Sequence, residues 1–355
     1  MDFRPDMDAH LAAKKRQYAQ QKRRARIILI TLLCITIAAI WALIIAVAVR
    51  LANDTELPEL PELPVITTAP AVTAPPVTEP PVTVATAPPD TVPVTLDRTM
   101  VTRGSLILVS ALLDRAYDFS ESDRFVPLYG NKTNSYRISS TALSVHPDTL
   151  AALNEMFDAY KAETGNRDYQ ITQASRTLEE QQAIYDSYHV TYGAEQGALL
   201  AAKPGYSEHH AGYALDMNVY TSAGVSYSLG TASQENPIYG WIYDNAAAYG
   251  FVQRYPEGKT AVTGITNEPW HFRYVGKGHA AYMVEHDLVL EEYVAALYGY
   301  SQADPLTFSY GDVDYTVFFV PLDAETETVE LFLPKEAVYT LSGDNADGVF
   351  VTLAQ

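Results

Sequence analysis

The sequence predicts an α+β domain, built on an antiparallel sheet with flanking helices, between one membrane-spanning helix and a small β-rich extension. Three observations lead to this prediction. An uncharged stretch of 23 residues runs from 27 to 49, and 11 of the 21 prolines fall between 58 and 93. After residue 99, helical and alternating patterns mix without regular βαβ units, which favours an antiparallel sheet. With 355 residues, of which 48% are apolar, the chain can form sizeable cores.

The first elements are a basic segment, residues 1–26, and an apolar helix, residues 27–49. Nine basic and three acidic residues fall within the first 52 positions. At about 1.5 Å per residue the helix reaches roughly 35 Å, slightly more than the roughly 30 Å of a hydrocarbon core. The basic flank predicts a cytoplasmic N-terminus, with the rest of the chain outside the cell. Because the apolar run is longer than that of a signal peptide and ends at Arg50, we expect an uncleaved, single-pass anchor in the cell membrane.

Residues 50–98 follow as a proline- and threonine-rich linker, which we expect to be disordered and extended, so that it holds the next domain away from the membrane. The only cysteine, Cys34, lies in the predicted anchor. The exported part therefore has no disulfide, which favours a bacterial surface. The strongly acidic composition beyond the anchor repels polyanions and excludes nucleic acid as a partner.

The domain predicted over residues 99–300 contains six segments with helical or alternating periodicity. A capping box of Thr177 and Glu180 marks the start of one helix. The predicted strands are Ser105–Val109, Tyr169–Gln173 and Trp270–Val275, and the predicted helices are Thr149–Thr164, Thr177–Tyr188 and a segment containing Asn245–Tyr249.

The last element is the β-rich extension over residues 301–355. Its alternating segments predict strands at Tyr315–Val320, Thr328–Phe332 and Val349–Leu353. Residues 344–348 faintly resemble a calcium-binding loop, but the required spacing and the closing glutamate are missing. We therefore predict a plain turn there.

The residues that indicate chemistry stand in two short segments. His209 and Asp216 lie seven residues apart across a glycine, and His271 follows Asp216 by 55 residues. Two imidazoles and one carboxylate are typical of a catalytic zinc site, which leaves a fourth position for water. Glu268, three residues before His271, is placed to accept a proton from that water.

These segments resemble a known family signature. The pattern S-x-H-x-x-G-x-A-x-D at 207–216, followed by Glu-Pro-Trp-His at 268–271, resembles that of the VanY-type zinc D-alanyl-D-alanine carboxypeptidases. Related proteins are the D-Ala-D-Ala dipeptidases and the Hedgehog-type domains. Arg-Tyr-Pro at 254–256 and the residues after His271 are similar to the carboxypeptidase branch. The resemblance covers roughly residues 100–300.

The resemblance implies a Hedgehog/D-Ala-D-Ala peptidase-like fold that binds one Zn²⁺ per chain. His209, Asp216 and His271 match the zinc ligands, and Glu268 matches the general base. Arg176 matches the arginine that polarises the scissile carbonyl, although Ala-Ser precedes it here where the family usually has Gly-Tyr or Gly-Phe.

Two further residues are candidates for substrate contacts. Gln181, on the helix after Arg176, is placed to reach the substrate backbone, and Ser207 is placed either to hydrogen-bond the peptide or to form a turn. His210 matches a variable position and receives no role. The remaining histidines singled out by the sequence, for which we predict structural roles, are His189, His279 and His286.

The implied function is that of a membrane-anchored, extracellular metallocarboxypeptidase of a Gram-positive bacterium, which removes the C-terminal D-Ala from peptidoglycan stem peptides. Two alternatives stay open: an L,D-carboxypeptidase acting on tetrapeptide stems, and a non-catalytic domain that binds cell-wall peptides. The presence of Glu268 favours catalysis, since loss of the base would mark a binding domain. Ser-x-x-Lys, Gly-x-Ser-x-Gly and His-Glu-x-x-His motifs are absent from the sequence, which excludes serine peptidases and thermolysin-like enzymes.

Overall fold

The structure, a computed structural model, describes residues 90–322 and 324–355. The predicted cytoplasmic segment and anchor, and the predicted linker as far as residue 89, lie outside these residues. Within the described ranges, no helix is both long enough and apolar enough to cross a bilayer.

Strands are distributed over the whole described chain. Their bounds are β1 Thr91–Asp97, β2 Val126–Pro127, β3 Arg137–Ile138, β4 Ser144–Val145, β5 Tyr169–Gln173, β6 Ala214–Tyr220, β7 Ser226–Ser228, β8 Phe251–Gln253, β9 His271–Tyr274, β10 Leu306–Tyr310, β11 Val313–Pro321, β12 Thr328–Pro334, β13 Val338–Gly343 and β14 Gly348–Ala354. The α-helices are Pro147–Thr164, Leu178–Tyr192, Ala194–Leu200, Leu229–Glu235, Trp241–Asn245, Thr260–Thr263, Lys277–Glu285 and Leu290–Leu297.

The central sheet has the strand order β3-β5-β6-β9-β8, and β7 pairs with the C-terminal end of β6. All its pairs are antiparallel except β3 with β5. Helix Pro147–Thr164 packs on this sheet, and its Leu153 and Phe157 are fully buried in one cluster with Leu215 and Met217 of β6. This arrangement confirms the predicted α+β fold class.

Several local signals correctly predicted where elements begin and end. The helix predicted from residue 149 is observed as Pro147–Thr164 and ends at Gly165, whose φ of 71° favours glycine. The capping box is also confirmed: Thr177 Oγ1 accepts the N–H of Glu180 at 3.2 Å, and the Glu180 carboxylate accepts the N–H of Thr177 at 2.9 Å. The predicted strands over 169–173 and 270–275 correspond to β5 and β9.

The prediction of a strand at Ser105–Val109 was wrong, because this segment is buried but pairs with no strand. Side chains from distant parts of the chain satisfy its backbone instead. Arg273 donates to the carbonyl oxygens of residues 105 and 107 at 2.8 and 2.9 Å, and Ser342 Oγ accepts the N–H of residue 106 at 2.8 Å. Asn345 donates to the carbonyl oxygen of residue 108 at 3.0 Å. Because these side chains hydrogen-bond its backbone, the segment needs no neighbouring strand to do so.

The predicted linker over residues 50–98 overlaps a strand at its C-terminal end. β1, Thr91–Asp97, pairs antiparallel with β12 along its full length. Val94 and Leu96 point into an apolar cluster with residues of β11 and β14. The alternation of apolar and polar residues therefore overrides the proline content there, since Pro93 lies on a strand with a single partner.

The C-terminal residues form a four-stranded antiparallel sheet in the order β10-β11-β14-β13. Two of the three predicted strands, β11 and β14, belong to this sheet. The third predicted strand is β12, which pairs with β1 instead. Val317 and Phe350 of this sheet lie in one apolar cluster with Leu290 and Val294 of the last helix. The predicted turn after β13 is confirmed, because Asp344 Oδ1 accepts the N–H groups of residues 346, 347 and 348 at 2.9 to 3.0 Å.

Candidate metal centre and active site

The register of the central sheet places two of the predicted ligands side by side. β6 pairs with β9 so that Asp216 stands opposite His271. Side chains alternate along a strand, and Leu215 and Met217 point into the core. Asp216 therefore projects from the other face of the sheet, where His271 also lies. The sequence determines this placement through the apolar residues that flank each ligand.

His209 reaches the same place through a tight turn. Residues 208–211 form a 3-10 helix that ends at Gly212, whose φ is 72°. A Cβ atom at this glycine would lie 2.6 Å from the ring of Phe125, so a side chain does not fit. The turn leads the chain directly from the 3-10 helix into β6 and brings His209 beside Asp216.

The three predicted ligands converge. Each offers one ligand atom, and these atoms lie within 4.8 Å of one another. Nε2 of His209 lies 3.4 Å from Oδ2 of Asp216, and Nδ1 of His271 lies 3.2 Å from Oδ1. Nδ1 of His209 contacts the carbonyl oxygen of Ala174 at 2.6 Å. Since a carbonyl only accepts, the proton of this ring sits on Nδ1, and the lone pair of Nε2 faces the centre.

The electrostatics of the centre suit a cation. Oδ1 of Asp216 is buried and has no hydrogen-bond partner among the residues that the structure describes. Burial and the nearby Arg176 lower the pKa of His209 to about 4, so its imidazole is neutral at pH 7. Burial also lowers the pKa of His271, but the carboxylates of Asp216, Glu208 and Glu268 outweigh it and raise this pKa well above its usual value. Two nitrogens and one oxygen are a typical zinc donor set, and these residues fit that metal.

Glu268 lies at the edge of the centre. Its Oε2 is 3.3 Å from Nδ1 of His271. A turn fixes its backbone, because the N–H of His271 donates to its carbonyl oxygen at 3.1 Å and its own N–H donates to Tyr255 at 2.9 Å. Burial raises the pKa of Glu268, and the hydrogen bond with His271 opposes this rise. The carboxylate is therefore held close to the ligands without being needed to complete the set.

Arg176 joins the site from the loop before helix Leu178–Tyr192. Its guanidinium donates to Oδ2 of Asp216 at 3.1 Å and to Oε1 of Gln181 at 2.8 Å. Its backbone N–H donates to the carbonyl oxygen of His209 at 3.1 Å. The preceding Ala-Ser pair leaves this position intact, since Ala174 supplies the carbonyl that contacts His209.

The residues predicted to contact substrate line the same cleft, whose empty space, part of it open to solvent, is about 580 Å³. Gln181 is buried, and its side-chain nitrogen donates to the carbonyl oxygen of Ala202 at 2.7 Å while its oxygen accepts from Arg176. Both ends of the Gln181 amide are therefore engaged in hydrogen bonds within the protein. Ser207 is also buried and does not cap the 3-10 helix that follows it. Other cleft-lining side chains are Ile184, Tyr188, Tyr255, Ile265 and Trp270.

Among the described residues, no other histidine belongs to the ligand cluster. His189 contacts the carbonyl oxygen of Tyr185 at 2.9 Å, and His286 is exposed. His210, to which the sequence gave no role, contacts the carbonyl oxygen of Arg176 at 2.8 Å. Sequence reasoning missed this backbone contact, because its position in the motif is unspecified.

A second group missed by sequence reasoning is a set of buried charges under the centre. Arg254 and Arg273 both contact Oε1 of Glu208, at 2.8 and 3.0 Å, and all three side chains are at most 1% exposed. Both arginines belong to the segments that carry the family resemblance. Their charge in an otherwise apolar strand context was the available signal.

Comparisons with known proteins relate this chain to a family of peptidases. Residues 142–277 match the family model of VanY, D-alanyl-D-alanine carboxypeptidase. A D-alanyl-D-alanine carboxypeptidase of Enterococcus faecium is 33% identical over 261 residues, which cover 73% of this chain and 78% of that protein. One of Enterococcus faecalis is 38% identical over 152 residues, covering 40% of this chain and 52% of that protein.

A solved structure shows the same fold. The crystal structure of the vancomycin resistance D,D-dipeptidase VanXYg, in complex with a D-Ala-D-Ala phosphinate analog, superposes with a TM-score of 0.64 at 27% identity. The match covers 75% of this chain and 99% of that one. Together with the Enterococcus faecium relative, of which this chain covers 78%, these findings identify the chain as an enzyme, a peptidase that belongs to the VanY-type D-alanyl-D-alanine carboxypeptidase family.

Proposed function

We propose that this chain is a zinc-dependent carboxypeptidase that releases the C-terminal D-Ala from peptidoglycan stem peptides. The observation that carries the proposal is the convergence of His209, Asp216 and His271, with Glu268 and Arg176 on its border, in one cleft. The names of its relatives supply the substrate class.

One Zn²⁺ per chain would be held by Nε2 of His209, a carboxylate oxygen of Asp216 and Nδ1 of His271, the atoms that face one another. Such an ion supplies a Lewis acid for the scissile carbonyl and makes a water molecule easier to deprotonate. The protein contributes the fixed orientation of the ligands. It also supplies a carboxylate and a guanidinium, both only partly exposed, that act on the reacting groups.

Glu268 takes the proton from the attacking water and later returns it to the leaving amine. Its position beside the ligands suits this shuttle, and the rise of its pKa by burial strengthens it as a proton acceptor. The reaction needs no covalent bond between substrate and protein, because the base in the cleft activates water, and water rather than a side chain is the nucleophile.

Arg176 stabilises the negative charge that develops on the carbonyl oxygen. Its contacts with Asp216 and Gln181 hold the guanidinium at the cleft in advance of the reaction. A preorganised charge of this kind acts more strongly on the oxyanion than on the neutral substrate. Gln181 accepts a hydrogen bond from the guanidinium and so helps to hold it in place. Ser207 lies in the cleft wall, where a peptide would contact it.

The cellular location is part of the same proposal. The uncharged stretch at 27–49 and its basic flank support a single-pass anchor in the membrane of a Gram-positive bacterium, with the peptidase domain outside. Protease treatment of intact cells should degrade the peptidase domain and leave a membrane-bound fragment. Full protection from protease would contradict this orientation.

The decisive test of the chemistry uses the purified full-length chain with pentapeptide and tetrapeptide stem peptides, followed by mass spectrometry of the products. We expect loss of one alanine from the pentapeptide. Cleavage of the tetrapeptide alone would favour the L,D alternative. Binding of either peptide without any product would favour a non-catalytic domain.

The metal requirement is tested by His271→Ala, with the exposed His286→Ala as the matched control. Removal of the ligand should abolish both zinc retention, measured by elemental analysis, and peptide cleavage. The control should keep both. If His271→Ala kept full zinc content, this residue would not belong to the site.

A further inference from the structure

Two buried polar atoms face each other beside the candidate metal centre without forming a hydrogen bond. Nε2 of His271 and Oε2 of Glu208 lie 3.7 Å apart, and neither has a hydrogen-bond partner elsewhere in the described chain. Their side chains are 5% and 0% exposed, so both are shielded from bulk solvent. Buried polar groups in native proteins are nearly always paired, so this arrangement requires an explanation.

The position of Glu208 is fixed by a network of buried charges. Its Oε1 accepts the Nε–H of Arg254 at 2.8 Å and lies 3.0 Å from a guanidinium nitrogen of Arg273. Arg254 in turn donates to both carboxylate oxygens of Glu291, at 2.6 and 2.8 Å. Two acids and two arginines balance one another in charge. The network engages Oε1 and leaves Oε2 directed at His271.

We propose that Glu208 is a positioning residue whose Oε2 accepts the Nε2 proton of His271 and thereby presents Nδ1 of the same ring to the metal. The inference rests on the zinc site proposed above and adds to it a residue that does not touch the ion. The orientation of the ring supports it, since Nδ1 lies 3.2 Å from Asp216 while Nε2 faces Glu208. Because a carboxylate only accepts, Glu208 keeps a proton on Nε2, and Nδ1, which faces the carboxylates of Asp216 and Glu268, is the nitrogen left for the metal, which takes the place of a proton there.

The two histidines of the centre are then held in the same way by different acceptors. His209 turns Nδ1 toward the neutral carbonyl oxygen of Ala174, and His271 turns Nε2 toward an anionic carboxylate. An anionic acceptor increases the basicity of the opposite ring nitrogen more than a neutral one does. Glu208 therefore makes His271 the stronger of the two nitrogen ligands, besides setting its tautomer.

The first test compares Glu208→Gln with Glu291→Gln in the full-length chain. Both variants remove one negative charge that contacts Arg254, but only Glu208 faces His271. Zinc affinity is measured by competition with a chelating dye. We expect the dissociation constant of Glu208→Gln to rise about 10- to 100-fold, as is typical when the partner of a ligand is lost, and that of Glu291→Gln to change little. Equal weakening in both variants would overturn the inference, because it would trace the effect to charge balance alone.

The second test needs no substitution and decides the matter if Glu208→Gln does not fold. Two-dimensional ¹H–¹⁵N spectra of the histidine rings, recorded on the zinc-loaded full-length chain, identify the protonated nitrogen of each ring. We expect Nε2 of His271 to carry the proton and Nδ1 to bind the metal. Metal bound through Nε2 of His271 would refute the role of Glu208 alone, whereas a chain that binds no zinc would refute the proposed function.

Discussion

The space below the metal centre and the C-terminal sheet bury opposite kinds of residue. Below the metal centre, the side chains of Glu208, Arg254 and Arg273 are at most 1% exposed, although all three are charged. In the C-terminal sheet, β11 and β14 bury an apolar set that includes Phe318 and Phe350. The first arrangement positions reactive groups at a cost in desolvation, and the second contributes hydrophobic stabilisation. The contrast teaches that the charges that position the site and the apolar residues of the C-terminal sheet serve different ends, chemistry and stability, which single substitutions can separate.

The largest effect on chemistry without an effect on stability is expected for Glu268→Gln. This change removes the proton acceptor and leaves the three ligands in place, so kcat should fall by up to about 10⁴-fold while zinc content and melting temperature stay near normal. Steady-state kinetics with a pentapeptide, together with elemental analysis, measure these quantities. The exposed Glu179→Gln is the matched control and should keep full activity. A fall of less than tenfold at Glu268 would point to another base.

The opposite result is expected in the C-terminal sheet for Phe350→Ala. The side chain is fully buried and contacts the rings of Tyr298 and Phe319, so its truncation should lower the free energy of unfolding by about 3 to 5 kcal/mol. Zinc affinity of the folded fraction should not change. Val338→Ala, at a side chain that is 69% exposed, should have little effect on either quantity. Weakened zinc binding in Phe350→Ala would show that the two sheets are not separable.

Arg176→Ala tests the electrostatic part of the site. Loss of a preorganised positive charge at the oxyanion should lower kcat by about 10² to 10³-fold, with a smaller change in KM. Lysine should restore little, because its flexible point charge does not reproduce the contacts of the planar guanidinium with Asp216 and Gln181. Kinetics of the two variants measure the effect. Near-normal kcat in both would remove Arg176 from the reaction.

The smallest expected effect is a pH dependence of stability at the contact between helix Lys277–Glu285 and the C-terminal sheet. His279 is buried, with its ring nitrogens 2.7 Å from the Tyr293 hydroxyl and 3.0 Å from Thr352 Oγ1. Burial lowers its pKa to about 4, against about 6.5 in the unfolded chain. Between these pH values the unfolded chain binds more protons than the folded chain. The contribution of neutral His279 to the free energy of unfolding is therefore fully present above pH 6.5, and it decreases as the pH falls toward 4, by about 3 kcal/mol in all.

Urea unfolding at pH 7 and at pH 4.5 measures this dependence. His279→Gln should reduce it, since the amide can keep a contact without titrating, and the exposed His286→Gln should leave it unchanged. An identical pH dependence in the wild-type chain and in His279→Gln would assign the effect to other groups.

How much could be predicted from the sequence differed between the two regions. At the site, the sequence predicted that His209, Asp216 and His271 act together, and the structure brings the three side chains to one place. Apolar neighbours fix the orientation of the two that lie on strands, Asp216 and His271. Glu208 could not be identified, since it occupies an unspecified position of the motif and its partners lie more than 35 residues away. Its role depends on a contact that only the folded chain creates.

In the remaining fold, period-two alternation correctly predicted five strands, β5, β9, β11, β12 and β14. It failed at Ser105–Val109, where all the apolar side chains are buried and the backbone is satisfied by residues such as Ser342, over 230 positions away. It also missed β13, an edge strand whose Val338 and Tyr339 are both exposed, so that no alternation marks its beginning. Both failures arise where the environment of a segment is set by distant residues.

The pairing of Asp216 with His271 across β6 and β9 has a consequence for folding. Side chains alternate with a period of two, so a slip of one residue between these strands would turn one ligand toward the apolar face. An ion held by both residues therefore selects the correct pairing and disfavours every slipped one. It also cross-links two points that are 55 residues apart in the chain, which reduces the entropy gained on opening the sheet. The metal would thus stabilise the correct strand register during folding, before it takes part in any reaction.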